Sequence, residues 1–388
     1  MTLGDYWTPA FDSYNGAGFT LNFGQQPFTY TPPSGYKALC TTNLPDSTIV
    51  KGNQYMDAVA YSGSNSSQTV TNGGSFYPDF TWAKSRSGAY NNILVDSIRG
   101  GNLYLVSNST AADATSSGLA SWTSSGITWI GGASGVNASG DTYVNWMWKA
   151  GAGTTTSNTS GTITSTISVN PTAGFSIITY TGNGVANATV GHGLGVQPNL
   201  IIVKQRTGNA DNWAVSVKLS NLTINRMYLN SNIADNGLDW VGASSTLLTL
   251  KLTDNFLNTN GNTYVSYCWA SISGFSKIGY YTGNGSTDGT FVYTGFRPKF
   301  IMIKNTAATQ DWDIRDTSRD TYNASQYELY ANQSSAEVNS GSRSPTNYLD
   351  ILSNGFKLRG TNPETNNSGT TYIYAAFAEN PFKNALAR

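Results

Sequence analysis

Histidine and paired carboxylates have the widest chemical reach of the residues in this chain. His192 is the only histidine. It sits in Gly191-His-Gly-Leu-Gly195 with no Gly-x-Ser-x-Gly nucleophile elbow to serve and no second imidazole to share a metal. A structural role in a turn is expected. The same glycine-rich stretch has no helical pattern after it to offer an N-terminus to a phosphate. The densest charges lie in Asp311-Trp-Asp-Ile-Arg-Asp-Thr-Ser-Arg-Asp320. Asp311 and Asp313 are residues of the type a glycosidase holds about 5–9 Å apart. Asp316 and Arg319, however, have counterparts at Asp96 and Arg99, each aspartate 12 residues past a matching lysine. A catalytic pair has no reason to recur in sister segments, whereas a packing ion pair does. Asp235 and Asp239 lack the oxygen density of a calcium loop. No catalytic, cofactor or metal residue is therefore assigned, and the chain is not expected to be an enzyme.

Aromatic side chains offer the other chemistry, stacking on sugar rings. Trp213 and Trp312 occupy one repeated position, which points them, with Trp82, to a core. The glycan-contact candidates are Trp240, Trp122 and Tyr90.

The elements that would position these residues are strands. The chain has 388 residues, too many for one ordinary core. Charged residues make up 11%, and 22 basic residues balance 22 acidic ones. That composition lacks the basic footprint of a nucleic-acid binder. No apolar run approaches the roughly 18 residues of a membrane span, and no charged-then-apolar leader is visible. Cys40 and Cys268 fall in different segments, so two buried thiols are expected rather than a disulfide framework.

Gly174-Phe-Ser-Ile-Ile-Thr-Tyr-Thr-Gly-Asn-Gly184 is restated as Gly274-Phe-Ser-Lys-Ile-Gly-Tyr-Tyr-Thr-Gly-Asn-Gly285, with a worn copy at Met56–Asn65. From Tyr61 to Pro78, Tyr180 to Pro198 and Tyr281 to Pro298 is 17, 18 and 17 residues, and each proline precedes a lysine by six. Each copy closes on a strand: Val144-Asn-Trp-Met-Trp148, Val265-Ser-Tyr-Cys-Trp269 and Ile373-Tyr-Ala-Ala-Phe377. Alternating or apolar runs punctuated by Gly, Asn and Ser, without helical stripes, predict an all-β fold. The closing strands, apolar on both faces, are expected mid-sheet. A period near 100 residues describes a repeated β-sandwich, jelly-roll-like, in three tandem copies. The expected segments are 1–50, repeat one at 51–150, a Thr/Ser/Gly-rich linker or edge strand at 151–172, repeat two at 173–273 and repeat three at 274–388.

Residues 1–50 read as a short N-terminal β segment, with a strand over residues 19–30 and a closing strand from Gly35 to Cys40. Asn22-Phe-Gly-Gln-Gln-Pro-Phe-Thr-Tyr30 followed by Pro32-Pro-Ser-Gly-Tyr-Lys-Ala-Leu39 resembles the last strands of a SPRY-type β-sandwich. From about residue 56 onward the chain resembles repeat modules of tailed-bacteriophage virion proteins, carried by residues 173–184, 274–305 and 372–383. That resemblance implies a virion structural protein displayed on the particle surface: a tail fibre or host-recognition protein contacting neutral glycan. The alternatives it leaves are a capsid decoration or head-fibre protein bridging capsomers and, more weakly, a polysaccharide depolymerase. It implies other virion proteins and a host surface glycan as partners, no nucleic acid, no membrane insertion, and a homotrimer.

Overall fold

The computed structural model describes residues 46–133, 135–208, 211–254, 256–342 and 344–384, with 18, 20–22, 26–31, 33–35 and 43 nearer the N-terminus. The chain divides into two compact units, residues 1–46 and 47–388. In the first, the described residues do not form the strand expected over residues 19–30. The Asn22 amide donates to the Gln26 carbonyl and its oxygen accepts the Gln26 N–H, so this side chain takes up backbone groups that a strand would offer to a neighbouring strand. Of the closing strand expected from Gly35 to Cys40, all but Gly35 lies outside the described residues, Cys40 included.

The second unit is all-β, and helix among its described residues is limited to three-residue turns such as Gly52–Gln54. None of its described helices is long and apolar enough to cross a membrane. Repeat one holds β1 (Met56–Ser62), β2 (Gln68–Thr71), β3 (Phe80–Ser85), β4 (Ile93–Asp96), β5 (Leu103–Val106), β6 (Ala114–Thr115), β7 (Ala120–Thr123), β8 (Gly126–Trp129) and β9 (Thr142–Trp148). Its large sheet runs β1-β9-β3-β4-β5-β6 and its small sheet β2-β8-β7. The Thr/Ser/Gly-rich stretch supplies β10 (Thr156–Asn158) and β11 (Ser165–Asn170), which extend the sheet of repeat two.

Repeat two continues with β12 (Phe175–Thr181), β13 (Ala188–Gly191), β14 (Leu200–Gln205), β15 (Ala214–Lys218), β16 (Thr223–Tyr228), β17 (Val241–Ala243), β18 (Leu247–Leu250) and β19 (Thr263–Trp269). Its sheets run β10-β11-β12-β19-β14-β15-β16 and β13-β18-β17. Repeat three has β20 (Ser276–Thr282), β21 (Phe291–Tyr293), β22 (Phe296–Asn305), β23 (Asp313–Asp316), β24 (Tyr327–Tyr330), β25 (Val338–Asn339), β26 (Leu349–Leu352), β27 (Gly355–Leu358) and β28 (Thr371–Pro381). Its sheets run β20-β28-β22-β23-β24-β25 and β21-β27-β26. One strand order thus occurs three times. Pro78, Pro198 and Pro298 each stand two residues before Phe80, Leu200 and Phe300, which pair with Trp148, Trp269 and Phe377.

The repeated turn is tied down the same way each time. Tyr61, Tyr180 and Tyr281 lie on Tyr143, Tyr264 and Tyr372 with ring centroids 5.4, 5.2 and 5.1 Å apart. Their hydroxyls donate to the carbonyls of Val136, Leu257 and Thr365 at 2.7, 2.8 and 2.6 Å. The next residue is a buried asparagine, Asn137, Asn258 or Asn366, whose side-chain oxygen accepts the N–H of Ser64, Asn183 or Asn284. The turn needs one residue with positive φ: Gly184 (69°), Gly285 (65°) and, in the worn copy, Asn65 (60°). Asparagine tolerates that conformation better than most side chains.

The central strands of each large sheet are buried on both faces. In repeat one, Met147, Ala83, Val95 and Val106 face Val70, Ile127 and Trp129 of the small sheet. In repeat two, Ile178, Ile201, Val203 and Cys268 face Val190, Leu248 and Leu250. Cys268 is a free thiol, pushed up to about 12 by burial. The opposite, aromatic face does not lie within its own sandwich. It meets the other two repeats in one apolar cluster that draws on all three. At its middle, Trp148 lies 6.0 Å from Trp269 and 5.6 Å from Phe377, and Trp269 lies 6.5 Å from Phe377. Three counterpart side chains thus meet around one axis. The repeats do not follow one another as a string; they close on each other.

Candidate ligand-binding cleft

Equivalent joints hold the repeats together. The N–H groups of Asp113, Asp235 and Glu337 donate to the carbonyls of Arg206, Thr306 and Arg86 at 3.0, 3.0 and 2.7 Å. These contacts run from repeat one to two, two to three and three to one, so the chain forms a closed ring. The acceptors stand two residues past Lys84, Lys204 and Lys304, the lysines of the repeat spacing. Lys84 donates to the carbonyls of Tyr90 and Ser334, and Lys204 to those of Asp211 and Thr110, so both bridge to a neighbouring repeat. Lys304 instead donates to its neighbour's carbonyl, Asn305. Burial lowers all three ammonium groups, Lys84 to about 7 and Lys204 and Lys304 to about 8.

Two joints carry a buried ionic group. Arg99 pairs with Asp96 and Asp113, Arg206 also reaches Asp113, and Tyr267 donates its hydroxyl to Asp96 at 2.7 Å. Arg319 pairs with Asp316 and Glu337, Arg86 also reaches Glu337, and Trp146 Nε1 donates to Asp316 at 3.0 Å. The packing role expected for Asp96–Arg99 and Asp316–Arg319 is what the geometry gives, but inside the protein rather than at its surface. The third joint is apolar, with Val217 at the aspartate position and Ala375 at the aromatic one. Trp213 and Trp312 serve the joints as well, donating at 2.9 Å to the carbonyls of Val106 and Tyr228 in the preceding repeat.

The repeats differ most at the outer end of the sandwich, between strands four and five of the large sheet and the loop carrying the buried asparagine. Register makes Gly135, Phe256 and Glu364 equivalent, since each precedes the residue whose carbonyl receives the tyrosine hydroxyl. In repeat two Phe256 fills the gap, stacked 5.6 Å from Tyr228 with the Arg226 guanidinium 4.7 Å above its ring. In repeat three the gap holds a polar network. Arg315 pairs with Asp313 and Glu328, and Asn347 donates to both Asp313 and Glu364. In repeat one there is no side chain at 135, and a cleft of about 630 Å³ is open there. Tyr90, Tyr104, Ile93, Val106 and Leu119 line it, and Ser334 of repeat three completes one wall.

Of the three aromatic candidates, only Tyr90 lines this cleft. Trp240 is fully buried in the sandwich core of repeat two, so it cannot touch a glycan. Its polar approach, Asp235 to Asp239, reads as a loop tip, but Trp240 stands directly before β17 with its side chain inward. Trp122 is half-buried, packed against the core of repeat one. Asp311 and Asp313 do not form an open pair. Asp313 is buried against Arg315, while Asp311 accepts from Asn332 and Gln333. Gly135 and its partners Phe256 and Glu364 share no residue type, and only the Asn-x5-Tyr spacing of 137/143, 258/264 and 366/372 aligns them.

His192 is buried, its Nδ1 accepting the Leu194 N–H at 3.2 Å and its Nε2 facing the Ser244 carbonyl at 3.2 Å. That leaves Nε2 protonated and the ring neutral. Burial depresses its pKa below the usual imidazole value. The unfolded chain therefore takes up a proton near pH 6.5 that the folded chain refuses, and stability present above that pH is lost as pH falls below it. One group contributes at most about 1.4 kcal/mol per pH unit. Between pH 7.5 and 5, denaturant midpoints should fall further for the wild type than for His192→Gln. Equal falls would contradict this assignment.

A family model, Domain of unknown function (DUF7483), matches residues 51–381. The chain belongs to that family. The DUF7483 match begins with repeat one and ends on β28, so it spans the whole ring rather than a single repeat. No curated protein and no solved structure matches the chain.

Proposed function

We propose that this DUF7483 chain is a bacteriophage virion structural protein displayed on the particle surface, a tail fibre or host-recognition protein that contacts neutral glycan. The resemblance of its repeats to phage virion modules supports the setting. The ring carries the reading: three copies of one module, closed through equivalent joints, give a single polypeptide threefold pseudo-symmetry. Assemblies built on closed point groups present threefold seats, and a ring of this kind fills one without three subunits. Its partners in this reading are other virion proteins and a host surface glycan. The same pseudo-symmetry also favours a second reading, a capsid decoration or head-fibre protein seated between capsomers.

Electron cryo-microscopy of particles labelled through this chain tests both. Density confined to the tail supports the fibre, many copies on the shell support decoration, and a particle without the chain refutes both. Sedimentation then reads the assembly, a species of 41.4 kDa or the homotrimer that the resemblance implies.

A further inference from the structure

We propose that the repeat-one cleft binds a neutral sugar ring, and that Gly135 is the residue that keeps it open. This rests on the glycan-contacting reading above and assigns that contact to one place. The volume, about 630 Å³, falls among those of small-molecule sites. The two equivalent gaps are filled by the chain's own atoms, through Phe256 in one and Glu364 with Arg315 in the other. A Cβ on Gly135 would lie 3.1 Å from Ile93 Cγ1 and 3.4 Å from its Cδ1, so a side chain there would press on a residue of the cleft wall.

No charged side chain lines the cleft among the described residues, whereas the sister gaps hold Arg226 in one and Arg315 with Glu328 in the other. A charged ligand entering it would lose hydration without gaining a partner; a neutral one would not. Tyr90 and Tyr104 are half-buried, and each offers ring surface to the C–H face of a pyranose. Asn91, Ser109 and Ser116 offer donors and acceptors for its hydroxyls. Ser334 comes from repeat three, so the site is complete only when the ring is closed.

Saturation-transfer NMR on the full chain tests the proposal with methyl glucoside, methyl galactoside and N-acetylglucosamine as neutral probes and glucuronic acid as a charged one. At least one neutral probe is expected to bind, and glucuronic acid more weakly than methyl glucoside. Gly135→Phe copies the side chain of repeat two and should weaken binding at least about tenfold by filling the cleft. Tyr90→Ala changes only the rim and should weaken it about threefold to tenfold through lost stacking. It carries the test if Gly135→Phe does not fold. Failure of every neutral probe to bind the wild type overturns the proposal, as does unchanged binding in a folded Gly135→Phe or, in its place, in Tyr90→Ala. Imaging reads the particle and NMR reads the cleft, so each reading can fail without the other.

Discussion

Trp148→Ala is expected to destabilise the protein by about 3–5 kcal/mol, the range for removing a large buried aromatic. Trp148 sits where the three repeats meet. It lies 5.4 Å from Phe80 of its own repeat, 6.0 Å from Trp269, 5.5 Å from Phe300 and 5.6 Å from Phe377. Removing the ring leaves a cavity bounded by β-sheets on three sides, and sheets held in register have little freedom to collapse into it. Trp122→Ala is the internal control. That ring is half-buried on an outer small sheet, and its loss should cost less than half as much. Denaturant unfolding followed by circular dichroism gives both values. Similar losses would mean that the central aromatic cluster carries no special weight.

Asp316→Ala is expected to cost about 3–5 kcal/mol, because it leaves Arg319 and Arg86 sharing the single carboxylate of Glu337, with one positive charge of the group uncompensated. Arg319 is fully buried and takes its closest carboxylate from Asp316. Trp146 Nε1 and the backbone N–H groups of Ser318 and Arg319 also lose their acceptor. Burial alone would raise the Asp316 pKa, but the Arg319 guanidinium outweighs it and holds the carboxyl below its usual range. A depressed carboxylate contributes stability that is present above the unfolded value near 3.9 and is lost as pH falls through the folded one. The apolar joint between repeats two and three shows that ions are not required there, since Val217 stands in the aspartate's place. Asp316→Val combined with Arg319→Leu should therefore cost less than Asp316→Ala alone, in line with apolar replacement of buried ion pairs. A double variant less stable than the single one would contradict this account of the joint.

Much of the fold is written in local chemistry. The Gly/Asn turns, the stacked tyrosines and the proline-to-lysine spacing depend on a few adjacent residues, so the triplicate shows in the sequence. The arrangement of the repeats does not. Val144, Trp146 and Trp148 are visibly one face of a strand, but a period of two cannot say whether that face meets its own small sheet or another repeat. Residues 19–30 alternate like a strand, yet the Asn22 side chain takes both backbone groups of Gln26 that a sheet would pair. Trp240 shows the same limit at the site, because an aromatic after a polar loop can point either way. The cleft is legible only by its missing side chain, and Gly135 acquires meaning once Phe256 and Glu364 are set beside it.

Ring closure between repeats one and three is the claim on which the rest depends, and a cysteine pair tests it most directly. Glu337 and Arg86 are 251 residues apart, yet their side chains meet at 2.8 Å and a backbone hydrogen bond of 2.7 Å joins them. The single Glu337 N–H to Arg86 carbonyl bond, with both side chains on the same side, brings the two backbones into the reach of a disulfide. In a Cys40→Ser background, Arg86→Cys with Glu337→Cys should form an intramolecular bridge in the folded monomer under mild oxidation, identified by mass spectrometry of the linked peptides. A folded chain in which both thiols stay free, or bridge only between molecules, would show that the repeats do not close.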